Sequence, residues 1–189
     1  MGRTFLGIDP GLSGGLVLLD ERGQILEKHI IPVIENVTIK TSKVKKDPET
    51  GKGAKVESIR RTIDGVGLNR ILIDLAPKTG IAIIEQVSAR PGQGVVSQFN
   101  FGLALGFIQG VLVGNRIPFT TVTPSTWSKI IHAGIGGADP KGRSAVALGR
   151  LFPQVDLRPS TRSQKPHEGL MDALLIAEWA RRKAAAGEL

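Results

Sequence analysis

An apolar run at residues 3 to 9 ends in the carboxylate of Asp9 and leads into the small-residue segment P-G-L-S-G-G. A second apolar run follows at residues 15 to 19, and a third lies around residues 30 to 37. Apolar runs of this length, separated by segments rich in Gly and Pro, are typical of neighbouring strands joined by tight turns. The chain is therefore predicted to open with an antiparallel meander of three β-strands.

The remainder of the chain alternates helical and strand patterns. Helical spacing of apolar residues begins at Val56, and T-P-S-T-W, in which Ser or Thr precedes Trp127, is typical of a capped helix start. Further strands are predicted at residues 81 to 87 and 117 to 122, and further helices at residues 95 to 113, 141 to 151 and 168 to 183. This alternation predicts a single α/β domain over residues 1 to 189, in which parallel strands join the meander in a mixed central sheet flanked by helices.

Residues 40 to 55 interrupt the alternation with six lysines, two glycines and few large apolar residues. A segment of this composition cannot pack a core of its own. We expect a flexible basic loop or the tip of a long hairpin there. Its lysines either contact phosphate groups or keep a linker in solution.

The charge balance favours a polyanionic partner. The chain has 25 Lys and Arg against 17 Asp and Glu, which gives a net charge of +8 and favours nucleic acid first and an anionic surface second. It has no cysteine, which excludes disulfides and thiol chemistry. The N-terminal residues do not follow a signal-peptide pattern and no apolar run approaches the length that spans a bilayer, so a cytoplasmic protein without a membrane partner is expected.

Four acidic residues stand beside apolar segments, where a carboxylate is costly unless something compensates its charge. Asp9 and Glu85 each end a predicted strand, and Glu168 and Asp172 flank G-L-M ahead of A-L-L-I-A. Glu168 and Asp172 share a helix face, on which two unpaired carboxylates repel each other and a divalent cation would turn repulsion into ligation. Taken alone, Asp9 is more simply a turn carboxylate. Together with the basic charge, the four acids predict a nuclease that cuts phosphodiesters with bound metal.

The motifs that contain these acids resemble one family. G-I-D-P-G, I-I-E-Q-V, T-P-S-T-W and H-E-G-L-M-D-A-L-L-I-A, in that order along nearly the whole chain, resemble the RuvC-type Holliday junction resolvases and their phage relatives. The resemblance implies a ribonuclease H-like fold and a homodimer. It also implies a structure-selective endodeoxyribonuclease that makes paired, symmetric nicks in four-way DNA junctions with two Mg²⁺ ions, for which Mn²⁺ should substitute.

The resemblance assigns catalytic and metal-binding roles to residues that match the family's motifs. Asp9 matches the ligand on the first strand, Glu85 the ligand on the central strand, and Asp172 the last ligand, on a helix. The fourth position is open, because the residue three before Asp172, often an acid or His in bacterial members, is Gly169 here. Glu168 is the favoured ligand since it lies on the same helix face as Asp172, and His167 is the alternative ligand or general base, or has no catalytic role.

Residues that contact DNA are expected around these acids. Bacterial members commonly carry a bulky aromatic just after E-Q-V, whereas this chain has Ser88, so Phe99 and Phe101 are candidates to stack on bases unless they pack between helices. Basic residues are expected to contact phosphate groups or to stabilise charge, and the alternative is that they only face solvent. They are Lys43, Lys45, Lys46, Arg90, Lys141 and Arg143. Lys141 is also a candidate catalytic residue.

Three other function classes fit parts of the pattern. A ribonuclease H-like nuclease acting on other branched DNA or on RNA would carry the same acids, and a non-catalytic junction-binding protein would carry the same charge. An actin-like ATPase or sugar kinase shares G-I-D-P-G, but it binds its nucleotide between two related domains, for which 189 residues are too few. Lys141 follows Pro140 rather than a glycine, so no Walker loop is present and no nucleotide cofactor is expected.

Overall fold

The computed structural model describes residues 2–86, 94–137 and 139–189. In these ranges the strands are β1 (Thr4–Asp9), β2 (Gly15–Asp20), β3 (Ile25–Ile30), β4 (Val33–Lys46), β5 (Gly53–Ile63), β6 (Ile81–Glu85) and β7 (Phe119–Val122). The α-helices are α1 (Gly65–Leu75), α2 (Val95–Gly114), α3 (Pro124–Ile131), α4 (Pro140–Leu151) and α5 (Glu168–Ala185). None of the helices in these ranges combines the length and the apolar character that crossing a membrane requires.

The central sheet is mixed, as predicted. Its strand order is β3-β2-β1-β6-β7, with β1, β2 and β3 antiparallel to one another and with β6 parallel to both β1 and β7. The predicted third strand, around residues 30 to 37, is wrong, because the third strand is β3 at Ile25–Ile30. Its sequence I-L-E-K-H-I alternates half-buried and exposed residues, as an edge strand does. Pro32 separates it from β4 and cannot donate to a sheet ladder.

Helices cover both faces of this sheet. Successive side chains of a strand point to opposite faces, so Phe5 of β1 packs in a core with α3, α4 and α5, whereas Leu6 and Ile8 pack in a second core with α1 and α2. Both cores consist of fully or nearly fully buried aliphatic side chains, with Trp127 and Trp179 in the first. The sheet is thereby held between two helical layers, and its polar strand ends are left for chemistry.

Helix α5 lies unusually close to β1 and β2, and glycines permit that approach. A Cβ atom on Gly7 would lie 2.0 Å from the carbonyl oxygen of Ala173, and one on Gly169 would lie 2.2 Å from that of Ser13. Gly14 and Gly169 also form an isolated parallel bridge. The N-terminal end of α5 is therefore fixed against the turn that follows Asp9. The close contact also explains why the position three before Asp172 has no side chain.

Strands β4 and β5 form an antiparallel hairpin outside the central sheet, which we call the basic hairpin (residues 33–63). The helix predicted from Val56 is wrong up to Ile63, and α1 starts only after Asp64, which accepts hydrogen bonds from two amides of its first turn. Ile59 and Ile63 are four residues apart, a spacing that places side chains on one face of a helix and equally on one face of a strand. Residues 40 to 55 belong to the outer half of this hairpin, with a turn between Lys46 and Gly53.

Candidate active site

Two acids lie at neighbouring ends of parallel strands. Ile8 of β1 pairs with Ile84 of β6, so the next residues, Asp9 and Glu85, end the two strands at the same edge of the sheet. The backbone turns sharply after Asp9, whose Oδ1 accepts a hydrogen bond of 3.3 Å from the amide of Gly11. The two carboxylates are thus placed by the sheet itself, on its most rigid strands.

Helix α5 brings two more acids to this edge. Glu168 and Asp172 lie in its first turns and line an open cleft of about 460 Å³ together with Asp9. The opposite side of the cleft comes from α2, which contributes Asn100 and Phe101. Gly11, Leu12 and Ser13, from the turn after β1, also line the cleft. The structure therefore brings three of the four predicted acids into one cleft, and the charge of Glu85 acts on Asp9 and Asp172 from beside it.

Two of the acids, Asp9 and Asp172, have pKa values well above those of exposed carboxyl groups. Burial, and then the charges of Glu85 and Asp172, raise the pKa of Asp9 to about 7, against which the Gly11 amide acts only weakly. Burial and the charge of Glu85 likewise raise the pKa of Asp172 to about 6, although a hydrogen bond with Ser144 opposes the shift. Withdrawal from water and repulsion between like charges both disfavour ionised carboxylates. Positive charge placed among these groups would be strongly stabilised.

Two orienting residues were not predicted from the sequence. The indole Nε1–H of Trp127 donates a hydrogen bond of 2.8 Å to Oε1 of Glu85. Trp127 belongs to α3, and its side chain is buried. Ser144 of α4 is buried, hydrogen-bonds with Asp172, and lies 3.2 Å from Nε2 of His132. Both contacts join elements that are far apart in sequence. The T-P-S-T-W motif could have indicated Trp127, because Thr123 caps α3 and so sets the helix position of the tryptophan. No sequence pattern pointed to Ser144.

Glu168 and His167, the two candidates for the fourth position, have different surroundings. Glu168 points into the cleft, and its Oε2 accepts a hydrogen bond of 2.7 Å from Nζ of Lys141, which raises the pKa of that lysine. His167 instead caps α5, because its Nδ1 accepts a hydrogen bond of 3.3 Å from the amide of Leu170. Burial lowers the pKa of His167, which suits a neutral ring that accepts a hydrogen bond.

The oxygen-rich donor set fits a hard divalent cation in chemistry and in charge. In the present side-chain conformations, however, no three His, Asp or Glu side chains within residues 2–86, 94–137 and 139–189 lie close enough together to hold one ion. Lys141 also occupies one oxygen of Glu168. Binding of a metal by Asp9, Glu85, Asp172 and Glu168 would require at least some of these side chains to move.

The remaining predicted residues lie at different distances from the cleft. Phe101 lines it and is 40% exposed, whereas Phe99 is 68% exposed and does not line it, so neither is buried between helices within the chain. Arg143 is partly buried near His132. Burial, and then the positive charge of Arg143, lower the pKa of His132. Nε of Arg143 has no hydrogen-bond partner among the described residues. Lys43, Lys45 and Lys46 are exposed on β4, away from the acids, and Arg90 and Ser88 lie outside the described residues.

Sequence comparison alone does not identify the chain, since no protein-family model and no curated protein matches it. Solved structures do match. Thermus thermophilus RuvC superposes with a TM-score of 0.54 at 19% identity over 98% of this chain and 97% of that one. This chain has the fold of RuvC.

Two further structures agree. Thermus thermophilus RuvC in complex with Holliday junction substrate gives a TM-score of 0.56 at 14% identity, over 98% of this chain and 97% of that one. The yeast mitochondrial Holliday junction resolvase Ydc2 gives 0.50 at 12% identity, over 97% of this chain and 79% of that one. The resemblance drawn from the four motifs is therefore confirmed as a likeness of fold along nearly the whole chain.

Proposed function

We propose that this protein is a Holliday junction resolvase, a metal-dependent endodeoxyribonuclease that makes paired, symmetric nicks in four-way DNA junctions. The observation that supports it most is the gathering of Asp9, Glu85 and Asp172 at one edge of a RuvC-like sheet, where the pKa values of Asp9 and Asp172 are raised. Carboxylates with strongly raised pKa values in a cleft are a signature of functional sites. The net charge of +8 suits a DNA substrate, which in a cell without compartments lies in the cytoplasm.

Asp9, Glu85, Asp172 and Glu168 would hold Mg²⁺, or Mn²⁺ in its place, and two such ions supply an activated water and stabilise the leaving oxygen of a phosphodiester. The chain's own residues prepare this site. Trp127 fixes one oxygen of Glu85, and Ser144 fixes the carboxylate of Asp172. These hydrogen bonds restrict the motion of both acids, which lowers the entropy cost of assembling the site.

Lys141 has a second role in this proposal. Its ammonium group is exposed and is held at the cleft by Glu168. If Glu168 served as a metal ligand, the ammonium group of Lys141 would be available to stabilise the negative charge that develops on a scissile phosphate at the cleft. Arg143 lies two residues further along the same helix, and its positive charge would add to the attraction of a second phosphate.

The surfaces around the cleft suit junction DNA and a second copy of the chain. Lys43, Lys45 and Lys46 on the exposed outer half of the basic hairpin would contact the phosphates of a duplex arm. Helix α2 exposes an apolar surface at Val95, which is 82% exposed, and at Phe99. An apolar surface of this kind would be buried in a homodimer, and a two-fold axis would place two clefts on opposite strands.

The proposal is tested with end-labelled four-way junctions, both immobile and mobile, beside matched linear duplex, flap and RNA·DNA hybrid. Each substrate is incubated with Mg²⁺, with Mn²⁺ or with EDTA, and Asp9→Asn serves as the control variant. Paired, symmetric nicks in junctions that require both metal and Asp9 are expected. Metal-dependent cutting of another substrate would assign a different nuclease activity to the same site, and tight junction binding without cutting would assign a binding protein.

A further inference from the structure

We propose that an apolar pocket beside the acidic cleft receives an unpaired nucleobase of the DNA, an inference that rests on the proposed function. The pocket lies where the inner end of the basic hairpin meets α2. Its volume is about 180 Å³, and its walls include Leu12, Arg61, Ile63, Asn100, Leu103 and Phe107. This volume is well below the roughly 300–1,000 Å³ of pockets that enclose whole small-molecule ligands, so a single planar ring system fits better than a nucleotide cofactor.

The pocket adjoins the cleft that holds the acids. Leu12, Asn100 and Ala104 line both spaces, and Asp9 and Asp172 stand on the far side of these residues. A strand whose phosphodiester lies over the acids therefore places a neighbouring nucleotide at the mouth of the pocket. Because strands at a junction exchange partners, bases near the crossover are the ones that can leave their pairs at low cost.

Phe107 provides an aromatic wall whose ring is held in place. The residue is 40% exposed and lines the pocket, and the tip of its ring meets Gly65 at the start of α1. A Cβ atom on Gly65 would lie 2.7 Å from Cζ of Phe107, so glycine at this position makes room for the ring. A fixed, half-exposed ring is a stacking platform that any base can use, whatever its sequence.

The polar groups at the rim suit a neutral base better than a phosphate. Nε of Arg61 donates a hydrogen bond of 2.8 Å to Oε1 of Glu35, so the positive charge of Arg61 is already paired. The side chain of Arg61 is 60% exposed, so its guanidinium plane can stack on a base. The amide of Asn100 carries both donors and an acceptor for a base edge. An apolar interior with neutral polar groups at its rim therefore selects the base.

The test uses junctions in which 5-iododeoxyuridine replaces single thymines around the crossover. They are bound by the Asp9→Asn protein, which leaves them uncut, and are irradiated so that the analogue cross-links to the residue it contacts. The cross-linked peptide is identified by mass spectrometry. We expect at least one position at the crossover to cross-link to Phe107. The same substitution pattern in linear duplex is expected to give no such product.

Affinity provides the second readout, with Phe107→Leu as the variant because leucine keeps an apolar side chain without the ring. Junction binding is expected to weaken about fivefold or more while binding to linear duplex is unchanged. Phe152→Leu, at a phenylalanine at the end of α4 that lines neither the pocket nor the cleft, is the matched control and should not alter the cross-link. Thermal unfolding checks that both variants fold.

Each contrary result has its own meaning. Junction preference in the wild type, combined with equal binding by Phe107→Leu and no cross-link at Phe107, overturns the pocket and leaves the proposed function intact. A lower association state of Phe107→Leu without DNA, measured by light scattering, shows that a second copy of the chain fills the pocket and also overturns the inference. Absence of any junction preference in the wild type overturns both proposals.

Discussion

Helix α5 carries two carboxylates that lose water on folding, and they have opposite surroundings. Glu178, 3% exposed, lies 2.7 Å from Nε of Arg181 and 2.7 Å from Nε of Arg182. Burial acts to raise its pKa, yet these two guanidinium groups hold it below its ordinary value. Asp172, less than two turns away, has Glu85 and Glu168 as charged neighbours, and its pKa rises.

The difference separates an acid that stabilises the fold from acids that are available for chemistry. The chain supplies Glu178 with two cations from the next turn of its own helix, at positions that helical geometry brings together. Asp172 has the hydroxyl of Ser144 and only a distant influence from Lys141. Carboxylates left without cations at a cleft reduce stability and are retained where function requires them. The following predictions test this distinction.

The largest expected effect is on junction cutting. Asp172→Asn should lower the rate of metal-dependent nicking at least about a hundredfold, more than the roughly 10- to 100-fold that follows loss of a residue that only orients a metal ligand. Glu178→Gln should cut at the wild-type rate per folded molecule. Single-turnover cleavage of a labelled junction in saturating Mg²⁺ measures both, with the folded fraction determined by circular dichroism. Comparable losses in the two variants would remove the distinction.

The second effect is a fall in stability with rising pH when divalent metal is removed. The pKa of Asp9 is raised in the folded state from 3.8 to about 7, so the folded state binds more protons than the unfolded state between these values. The free energy of unfolding in EDTA should therefore decrease from about pH 4 to about pH 7, by at most roughly 4 kcal/mol from this residue.

Urea unfolding of wild type and Asp9→Asn across this pH range isolates the contribution of Asp9, because all other titrating groups are shared. The variant should show a flatter profile and exceed the wild type in stability at pH 8. Adding Mg²⁺ at pH 8 should restore stability to the wild type and have less effect on the variant. Parallel profiles for the two proteins in EDTA would show that the Asp9 carboxylate is compensated in some other way.

A smaller effect is expected at the paired acid. Glu178→Gln leaves two guanidinium groups without their carboxylate in a partly buried position. Removal of one partner from a fully buried pair costs about 3–5 kcal/mol, and partial exposure of both arginines reduces the expected loss to about 2 kcal/mol. Equilibrium unfolding in urea at pH 7 measures it. Unchanged stability would mean that water compensates these groups as well as Glu178 does.

The sheet and the acids at its edge could be predicted because short-range patterns determine them. An apolar strand that stops at a carboxylate is visible in sequence, and the ends of adjacent parallel strands must share an edge, so Asp9 and Glu85 could be placed together. The second strand of the basic hairpin could not be distinguished from a helix beginning at Val56, because residues four apart lie on one face in a helix and also in a strand. For the lysine-rich segment of the hairpin the sequence left open a loop or the tip of a long hairpin, and the structure has two long strands with a turn between Lys46 and Gly53.

The residues that orient the acids could not be predicted for a different reason. Trp127 reaches Glu85 across 42 positions of sequence, and this contact depends on how α3 packs against the sheet. Ser144 reaches Asp172 only because α4 and α5 are neighbours. Periodicity predicts which face of an element is buried but not which polar atom of another element it meets. Contacts between elements, rather than the elements themselves, were the part that required the structure.

The smallest expected effects distinguish Glu168 from His167 at the fourth position. Glu168→Gln removes a charged oxygen from the cleft and should slow Mg²⁺-dependent nicking about tenfold, since Glu168 is the most exposed acid of the set and already shares its charge with Lys141. His167→Ala removes a helix cap and should cost about 1 kcal/mol of stability while nicking remains close to wild type. His167→Asn, which keeps a capping side chain, should recover the stability. If His167→Asn is stable but does not nick, His167 rather than Glu168 serves the reaction, because a cap alone is preserved in that variant.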